Sequence, residues 1–162
     1  MALADAHSRA GANRPTLNMQ RVFDAPRALV WRAWTHPEAM VLWLGPVEWP
    51  AVSVKQDLQV GGEWRACLRS PDTGQDLWQG GVYREIVPPE RLVFTFKWDE
   101  SHEDGPPVET LVTMVLTETD DGQTRMDFTH EGLKSEQSLI GHKHGWNSTA
   151  DRLEAWLAAN KS

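Results

Sequence analysis

The segment SEQSLIGHKHGWNSTADRLEAWLAAN, residues 135–160, carries the longest helical pattern of the chain. One stripe of residues repeats every three or four positions, which is the spacing of a single helix face: Leu139, His142, Trp146, Ala150, Leu153 and Leu157. The pattern predicts a long amphipathic helix from about Ser135 to Asn160 that buries this stripe against the rest of the protein.

Two histidines near the start of this helix raise the question of a metal or catalytic site. Successive helix residues turn by about 100°, so His142 and His144 point about 200° apart and cannot share one metal ion. His144 falls on the outer side with Asn147 and Asp151, whereas His142 lies on the apolar stripe. A hydrogen-bonded core histidine is the simpler interpretation of His142, and a ligand contact or a proton shuttle is the alternative.

One strand and two short helices are predicted ahead of residue 47. The stretch LNMQRVFD, residues 17–24, alternates apolar and polar residues, except that Arg21 falls on the apolar side. Asp24 is the predicted N-cap of the first helix, and Pro26 lies in its first turn. Pro37 ends that helix and begins the second one.

Between residues 47 and 131, alternating patterns separated by turn residues predict six consecutive strands in an antiparallel meander. The first of these strands contains Pro50 and suits a sheet edge. Glycine pairs at 61–62 and 80–81 are interpreted as bends or bulges at strand starts, because neither pair opens a helix that would make it a phosphate-binding loop. The element order predicts an α+β fold with the helices on one face of an antiparallel sheet.

Composition narrows the possible functions. A length of 162 residues with 40% hydrophobic residues is typical of one soluble domain, predicted over residues 16–162. The net charge of −7 argues against nucleic-acid partners. The single Cys67 cannot form an intrachain disulfide, and no apolar run is long enough for a signal peptide or membrane span, so the cytoplasm is the expected location. Residues 1–15 are small and polar, which predicts a disordered arm.

Motifs for a nucleophile, a cofactor or a metal are missing from the sequence. There is no GxSxG elbow. The HED string at 102–104 lies between glycine and proline residues and is interpreted as solvated charge, and the NST sequon at 147–149 lies in the predicted helix and is interpreted as accidental. We therefore expect neither a cofactor nor a metal ion.

Several segments in order resemble one known family: FDAPRALVWRAWTHPEAMVLWLGP at 23–46, DLQVGGEW at 57–64, GGVYREIVPPERLVFTF at 80–96, and GW at 145–146 followed by DRLEAWL at 151–157. The chain is similar, from about Leu17 to Asn160, to the activator of heat-shock-protein-90 ATPase homologue family (AHSA1-like). That family belongs to the SRPBCC superfamily of START, Bet-v-1 and polyketide-cyclase proteins. The resemblance implies a helix-grip fold, in which a curved sheet of about seven strands surrounds the long helix and encloses an apolar cavity. Related proteins hold lipids, sterols or polyketides there.

The leading hypothesis is that the chain binds a small hydrophobic molecule without catalysis. The inward-facing residues of the predicted strands and helix would line the cavity: Trp64, Leu68, Phe94, Phe96, Trp98, Met114, Phe128, His130, His142, Trp146 and Leu153. His130 follows Met126 and Phe128 inward, so its imidazole could share the interior with that of His142. The alternative is that these side chains pack on one another and leave no cavity.

Two further functions stay open. A co-chaperone-like domain would bind a chaperone through an exposed apolar patch around Trp43, Leu44 and Trp49. Similar proteins have a second tryptophan where this chain has Leu44, and an arginine and a proline at 59–60.

An enzyme, cyclase-like or hydrolytic, would use His130, His142 or Arg84 as acid, base or electrostatic anchor. The expected oligomeric state is a monomer or a homodimer, with no membrane insertion.

Overall fold

The computed structural model describes residues 14–101 and 105–161, which form one seven-stranded antiparallel sheet and three helices. The elements follow one another in the predicted order: β1 (Thr16–Phe23), α1 (Arg27–Thr35), α2 (Pro37–Met40), β2 (Ala51–Gln56), β3 (Glu63–Arg69), β4 (Asp76–Val87), β5 (Arg91–Trp98), β6 (Thr110–Glu118), β7 (Thr124–Glu131) and α3 (Glu136–Asn160). The predicted α+β class is therefore confirmed.

The sheet has the strand order β1-β7-β6-β5-β4-β3-β2. Strands β2 to β7 form the predicted meander, and β1 joins it beside β7, where Met19 is opposite Phe128. Strand β2 is an edge of the sheet, as predicted, but Pro50 is not part of it, because the strand begins at Ala51. Most of the predicted disordered arm lies outside the described residues, whereas Pro15 already accepts a hydrogen bond from the backbone of Leu133 (3.1 Å).

Arg21 on the inner side of β1 is explained by the helix that lies over it. Its guanidinium donates to the Asp151 carboxylate (2.7 Å) and to the Asn147 carbonyl (3.1 Å), both on α3. The sequence pattern breaks at Arg21 because the strand meets the polar flank of α3 there rather than its apolar stripe.

The predicted N-cap of α1 is wrong. The N-cap is Pro26, the helix begins at Arg27, and no side chain caps it. Asp24 instead accepts a hydrogen bond from the Lys161 ammonium (2.9 Å), which ties the end of α3 to the start of α1. A favourable cap residue was thus used for a tertiary ion pair.

The second glycine pair lies inside β4 rather than at a strand start. A Cβ on Gly81 would be 1.8 Å from the Thr95 carbonyl oxygen of the neighbouring strand, so only glycine fits. The register of β4 against β5 shifts between Tyr83 and Glu85, which places a bulge just after this close approach.

Helix α3 begins as predicted. The Ser135 side chain accepts a hydrogen bond from the Ser138 backbone N–H (3.1 Å) and caps the helix. From Trp146 to Leu157 the apolar stripe is buried against the inner face of the sheet. None of the described helices combines the length and the apolarity that crossing a bilayer requires.

Trp34 of α1 fills one half of the space between sheet and helix. Its indole packs against Trp43 (ring centroids 4.8 Å apart), Phe128 (6.1 Å) and Trp146 (6.3 Å), and it is almost fully buried. This half of the interior is solid core.

Candidate functional site

A cavity of about 670 Å³ occupies the other half of the interior. It lies between the inner face of β3, β4 and β5, the first half of α3, and residues 44–49, here called the mouth loop. Its apolar walls include Leu68, Leu77, Phe96, Trp98 and Trp146. A pocket of this volume is in the range that holds drug-sized molecules.

The cavity lies where α3 presents a stripe of small side chains, flanked by the larger His142 and Trp146. Ser138, Gly141, Gly145 and Thr149 recur every three or four residues and all four border the cavity. Apart from its chain neighbours and the backbone of its own helix, a Cβ built on Gly141 or on Gly145 would have no atom within 4 Å. The N-terminal half of the helix therefore crosses the space without filling it. This stripe of small residues was the sequence signal for the cavity, and it was overlooked because the prediction relied on the large apolar residues.

The structure divides the eleven predicted lining residues into two groups. Five border the cavity: Leu68, Phe96, Trp98, His142 and Trp146. The other six are packed in the core and are not part of the cavity walls: Trp64, Phe94, Met114, Phe128, His130 and Leu153. The division follows the position of Trp34, whose ring lies 6.4 Å from that of Phe94 and closes that part of the interior.

His130 is the centre of a directional hydrogen-bond chain. The Trp146 indole N–H donates to Nδ1 of His130 (3.0 Å), and the Thr110 hydroxyl donates to the Phe96 carbonyl (2.7 Å). Nε2 of His130 must then carry the proton and donate to the Thr110 oxygen (2.7 Å). Burial, with a smaller contribution from the nearby His142, lowers the pKa of His130 to about 3, so the ring is neutral.

His142 has the opposite tautomer. The Trp98 indole N–H donates to Nε2 of His142 (3.1 Å), and Nδ1 of His142 donates to the Ser138 carbonyl (2.8 Å). The rings of His130 and His142 are edge to face with centroids 5.2 Å apart. The expectation that both imidazoles share the interior is therefore confirmed.

These bonds limit what the histidines can do chemically. The single basic nitrogen of each neutral ring already accepts a hydrogen bond from an indole N–H. Neither His130 nor His142 can take a proton from a bound molecule in this arrangement without losing that bond. Arg84, the third residue considered for catalysis, is exposed and does not border the cavity.

Most polar residues of the cavity were missed from the sequence, among them Gln79 and Lys134. Gln79 on β4 lines it although glutamine was not expected on an inner face, and Lys134 lines it from the turn before α3. The Lys134 ammonium donates to the Ser101 hydroxyl (3.2 Å) and to the Pro106 carbonyl (2.8 Å). The two-residue alternation of β4 from Leu77 to Gln79 was the available signal for Gln79.

The mouth loop is fastened to α3. Arg152 donates to the carbonyls of Leu44 (2.8 Å) and Gly45 (2.9 Å), and the Ser148 hydroxyl accepts from the backbone N–H of Val47 (3.0 Å). Nε2 of His144 lies 2.7 Å from the Glu48 carboxylate, and this contact is the main reason why the pKa of Glu48 is lowered. The outer position predicted for His144 is confirmed.

The apolar patch predicted for protein interaction is not on the surface. Trp43 and Leu44 are buried, because the Trp43 indole packs edge-on against Trp34 and donates to the Ala33 carbonyl (3.2 Å). Trp49 is half-buried and borders the cavity. The exposed apolar side chains near the mouth are instead Val47 and Ile140, 63% and 68% exposed.

Within residues 14–101 and 105–161 no group of three metal-ligating side chains comes together. The HED string at 102–104, interpreted from the sequence as solvated charge, lies outside the described residues. Cys67 is buried, and burial raises the pKa of its thiol.

Comparison with protein families bears on this fold and cavity. The sequence model of the family described as "Activator of Hsp90 ATPase homolog 1-like protein" matches residues 24–158. The chain belongs to this family. The resemblance seen in the motif residues is thus confirmed, and so is the helix-grip fold that it implied.

Solved structures share the fold of this family member along most of their length. A protein from Chromobacterium violaceum is 27% identical, with 88% of this chain and 97% of that chain covered and a TM-score of 0.77. A Nitrosomonas europaea protein is 26% identical, covered over 90% and 96% of the two chains with a TM-score of 0.75. An AHSA1 protein from Silicibacter pomeroyi shares the fold with a TM-score of 0.76. It is 22% identical, with 90% of this chain and 99% of that chain covered. No curated protein matches the chain.

Proposed function

We propose that the chain binds a small, largely apolar molecule in the cavity beneath the mouth loop. The observation that carries the proposal is the volume of about 670 Å³ that α3 leaves open between Ser138 and Thr149. Transfer of apolar surface from water into such a site contributes about 25 cal/mol per Å², before the costs of association. The commitment of both histidines to indole N–H groups favours binding over catalysis.

Saturable quenching of tryptophan fluorescence tests the proposal, because Trp49, Trp98 and Trp146 border the cavity. The probes are flavone, 9-fluorenone and dodecanoate. At least one of them should quench the tryptophan fluorescence of the wild-type protein to a plateau. A protein that gives no saturable signal with any of the three would contradict binding of this class.

A cavity-blocking variant identifies the site. Gly145→Leu adds a side chain where the space around the Cβ is open, so it should abolish probe binding while the helix is retained. Ala155→Leu makes the same kind of addition at an exposed position of α3 and should leave binding unchanged. Equal binding by both variants would place the probe elsewhere. Trp146→Ala is a poorer test, since it also removes the hydrogen bond to His130.

A second candidate is interaction with a chaperone, which the family description suggests. The feature that favours it is the exposed pair Val47 and Ile140 on either side of one surface groove. Val47→Ser with Ile140→Ser should then reduce binding to the cognate chaperone, measured by pull-down. Because Ile140 also borders the cavity, Val47→Ser alone is the variant that should leave probe binding unchanged. Equal recovery of the chaperone with wild type and double variant would remove this candidate.

A further inference from the structure

Gln79 is an anomaly among the buried polar residues. Nine polar side chains are buried in the described part of the chain, and eight of them have a hydrogen-bond partner there: Thr35, Ser70, Thr95, Thr110, Thr124, His130, Ser138 and Thr149. Gln79 is 3% exposed, and its side chain forms no hydrogen bond with residues 14–101 or 105–161. Buried polar groups without partners are uncommon, and each one calls for a physical reason.

The reason lies in where the amide is placed. Gln79 lines the cavity. Among the described residues, the polar side-chain atoms that are fully buried without a partner are on Arg27, Trp34 and Gln56. The amide atoms of Gln79 do not belong to this group. The amide therefore opens into the cavity space. An apolar residue at this strand position would avoid the cost of desolvating an amide without a partner.

The surroundings of Gln79 select the chemistry of that partner. Across the ladders it is opposite Ala66 on β3 and Trp98 on β5, and Leu77 precedes it on the same face. The charged residues of the cavity, Glu48 and Lys134, come from the mouth loop and from the turn before α3 rather than from these strands. A carboxamide both donates and accepts hydrogen bonds and carries no charge.

We propose that Gln79 is the specificity-determining anchor of the cavity and that the bound molecule carries a neutral carbonyl or hydroxyl group at the end that reaches β4. This inference rests on the proposed binding function. A ligand carbonyl would accept a hydrogen bond from the amide nitrogen, and a ligand hydroxyl would donate to the amide oxygen. A pure hydrocarbon would leave the amide unpaired and bind more weakly.

The test uses two probes of nearly equal shape, fluorene and 9-fluorenone, which differ by a CH₂ group in place of a carbonyl. Their dissociation constants are measured by tryptophan fluorescence for wild type, for Gln79→Met, which keeps the side-chain length, and for Gln75→Met, a control in the exposed hairpin turn. The ratio of the fluorene constant to the fluorenone constant should fall about fivefold in Gln79→Met, the effect of one net hydrogen bond, and stay unchanged in Gln75→Met.

The outcomes separate this inference from the proposed function. Fluorene binding by Gln79→Met shows that the variant is folded and the cavity intact, and the circular dichroism spectrum checks the fold independently. If both probes bind and the ratio is the same in wild type and Gln79→Met, the anchor role is wrong while cavity binding stands. If the wild-type protein binds neither of these probes, nor flavone or dodecanoate, the binding function fails and the anchor role falls with it.

Discussion

At the scale of single residues, the two inward histidines show how burial fixes a tautomer. Each ring accepts a hydrogen bond from one indole, Trp146 for His130 and Trp98 for His142, and each donates from its other nitrogen. Protonation of His130 would put a second N–H opposite the Trp146 N–H, in a site that excludes water. The neutral form is therefore part of the packing of the folded state.

Acidification should destabilise the protein through His130. A histidine titrates near pH 6.5 in the unfolded chain, and the folded pKa is about 3, so between these values only the unfolded chain binds the proton. The free energy of unfolding should fall by about 2 kcal/mol between pH 7.5 and pH 5. Urea unfolding followed by circular dichroism at each pH measures this loss.

His130→Gln provides the control for that titration. The glutamine amide can accept from Trp146 and donate to Thr110, but it has no pKa in this range. The variant should therefore lose less stability than wild type between pH 7.5 and pH 5, a window above the carboxylate titrations. If the free energy of unfolding falls equally with pH in the two proteins, His130 is not the group that destabilises the wild-type protein in acid.

At the scale of elements, α3 combines two functions in one helix. Its C-terminal half buries Leu153 and Leu157, whereas its N-terminal half carries Gly141 and Gly145 over open space. Glycine in a helix interior costs about 0.5–1 kcal/mol relative to alanine. The helix thus has lower intrinsic stability where it forms the cavity wall.

Gly145→Ala should raise the free energy of unfolding by about 0.5–1 kcal/mol, because the added methyl group has no close neighbour and the unfolded chain loses freedom. Gly81→Ala is the contrasting variant, since its Cβ would clash with the Thr95 carbonyl, and it should destabilise by more than about 2 kcal/mol. Chemical denaturation of the two variants measures both effects. A destabilised Gly145→Ala protein would mean that the helix is already strained there.

Arg152 should control the mobility of the mouth loop. Its guanidinium donates to the carbonyls of Leu42, Leu44 and Gly45, and the Leu44 carbonyl also accepts from the Ala51 N–H (2.9 Å). Arg152→Met should cost about 1–2 kcal/mol, because charge-assisted hydrogen bonds are lost from a partly solvated site. It should also speed amide exchange at Ala51 at least about fivefold, roughly the 1 kcal/mol that a lost hydrogen bond costs.

Arg32→Met is the matched control for Arg152. Arg32 is exposed on α1, and its side chain forms no hydrogen bond with the described residues. Both its stability and its Ala51 exchange should match those of wild type. Unchanged exchange in Arg152→Met would show that the loop is held by the backbone alone.

At the scale of the whole molecule, the interior has a solid half around Trp34 and an open half beneath the mouth loop. A molecule that fills the open half binds only the folded state, so it shifts the unfolding equilibrium. This linkage makes thermal stability a readout of cavity occupancy.

9-Fluorenone at ten times its dissociation constant should add about 1.4 kcal/mol to the free energy of unfolding, which corresponds to about 3–6 °C in Tm for a chain of this size. The shift should be absent in Gly145→Leu, whose side chain occupies the cavity. Differential scanning calorimetry at several probe concentrations measures the shift. An equal rise in Tm for wild type and Gly145→Leu would argue against the cavity as the binding site.

Much of the fold could be predicted because it depends on local periodicity. The strand faces, the helix stripe and the edge position of β2 all follow from residue spacing and proline chemistry. Asp24 and Gly81 were misjudged because their roles depend on distant partners, Lys161 and Thr95. A local pattern contains no information on which neighbour will approach.

The sequence by itself determined the inward faces of most strands and of α3, and only the tertiary structure decided which inward residues border open space. Phe94, Phe96 and Trp98 follow the same alternation on β5, yet Phe94 packs under Trp34 while Phe96 and Trp98 border the cavity. An inward residue meets a void or a neighbour according to what other elements bring to the same place. Here the Trp34 indole of α1 fills one half of the interior, whereas the glycines of α3 leave the other half open.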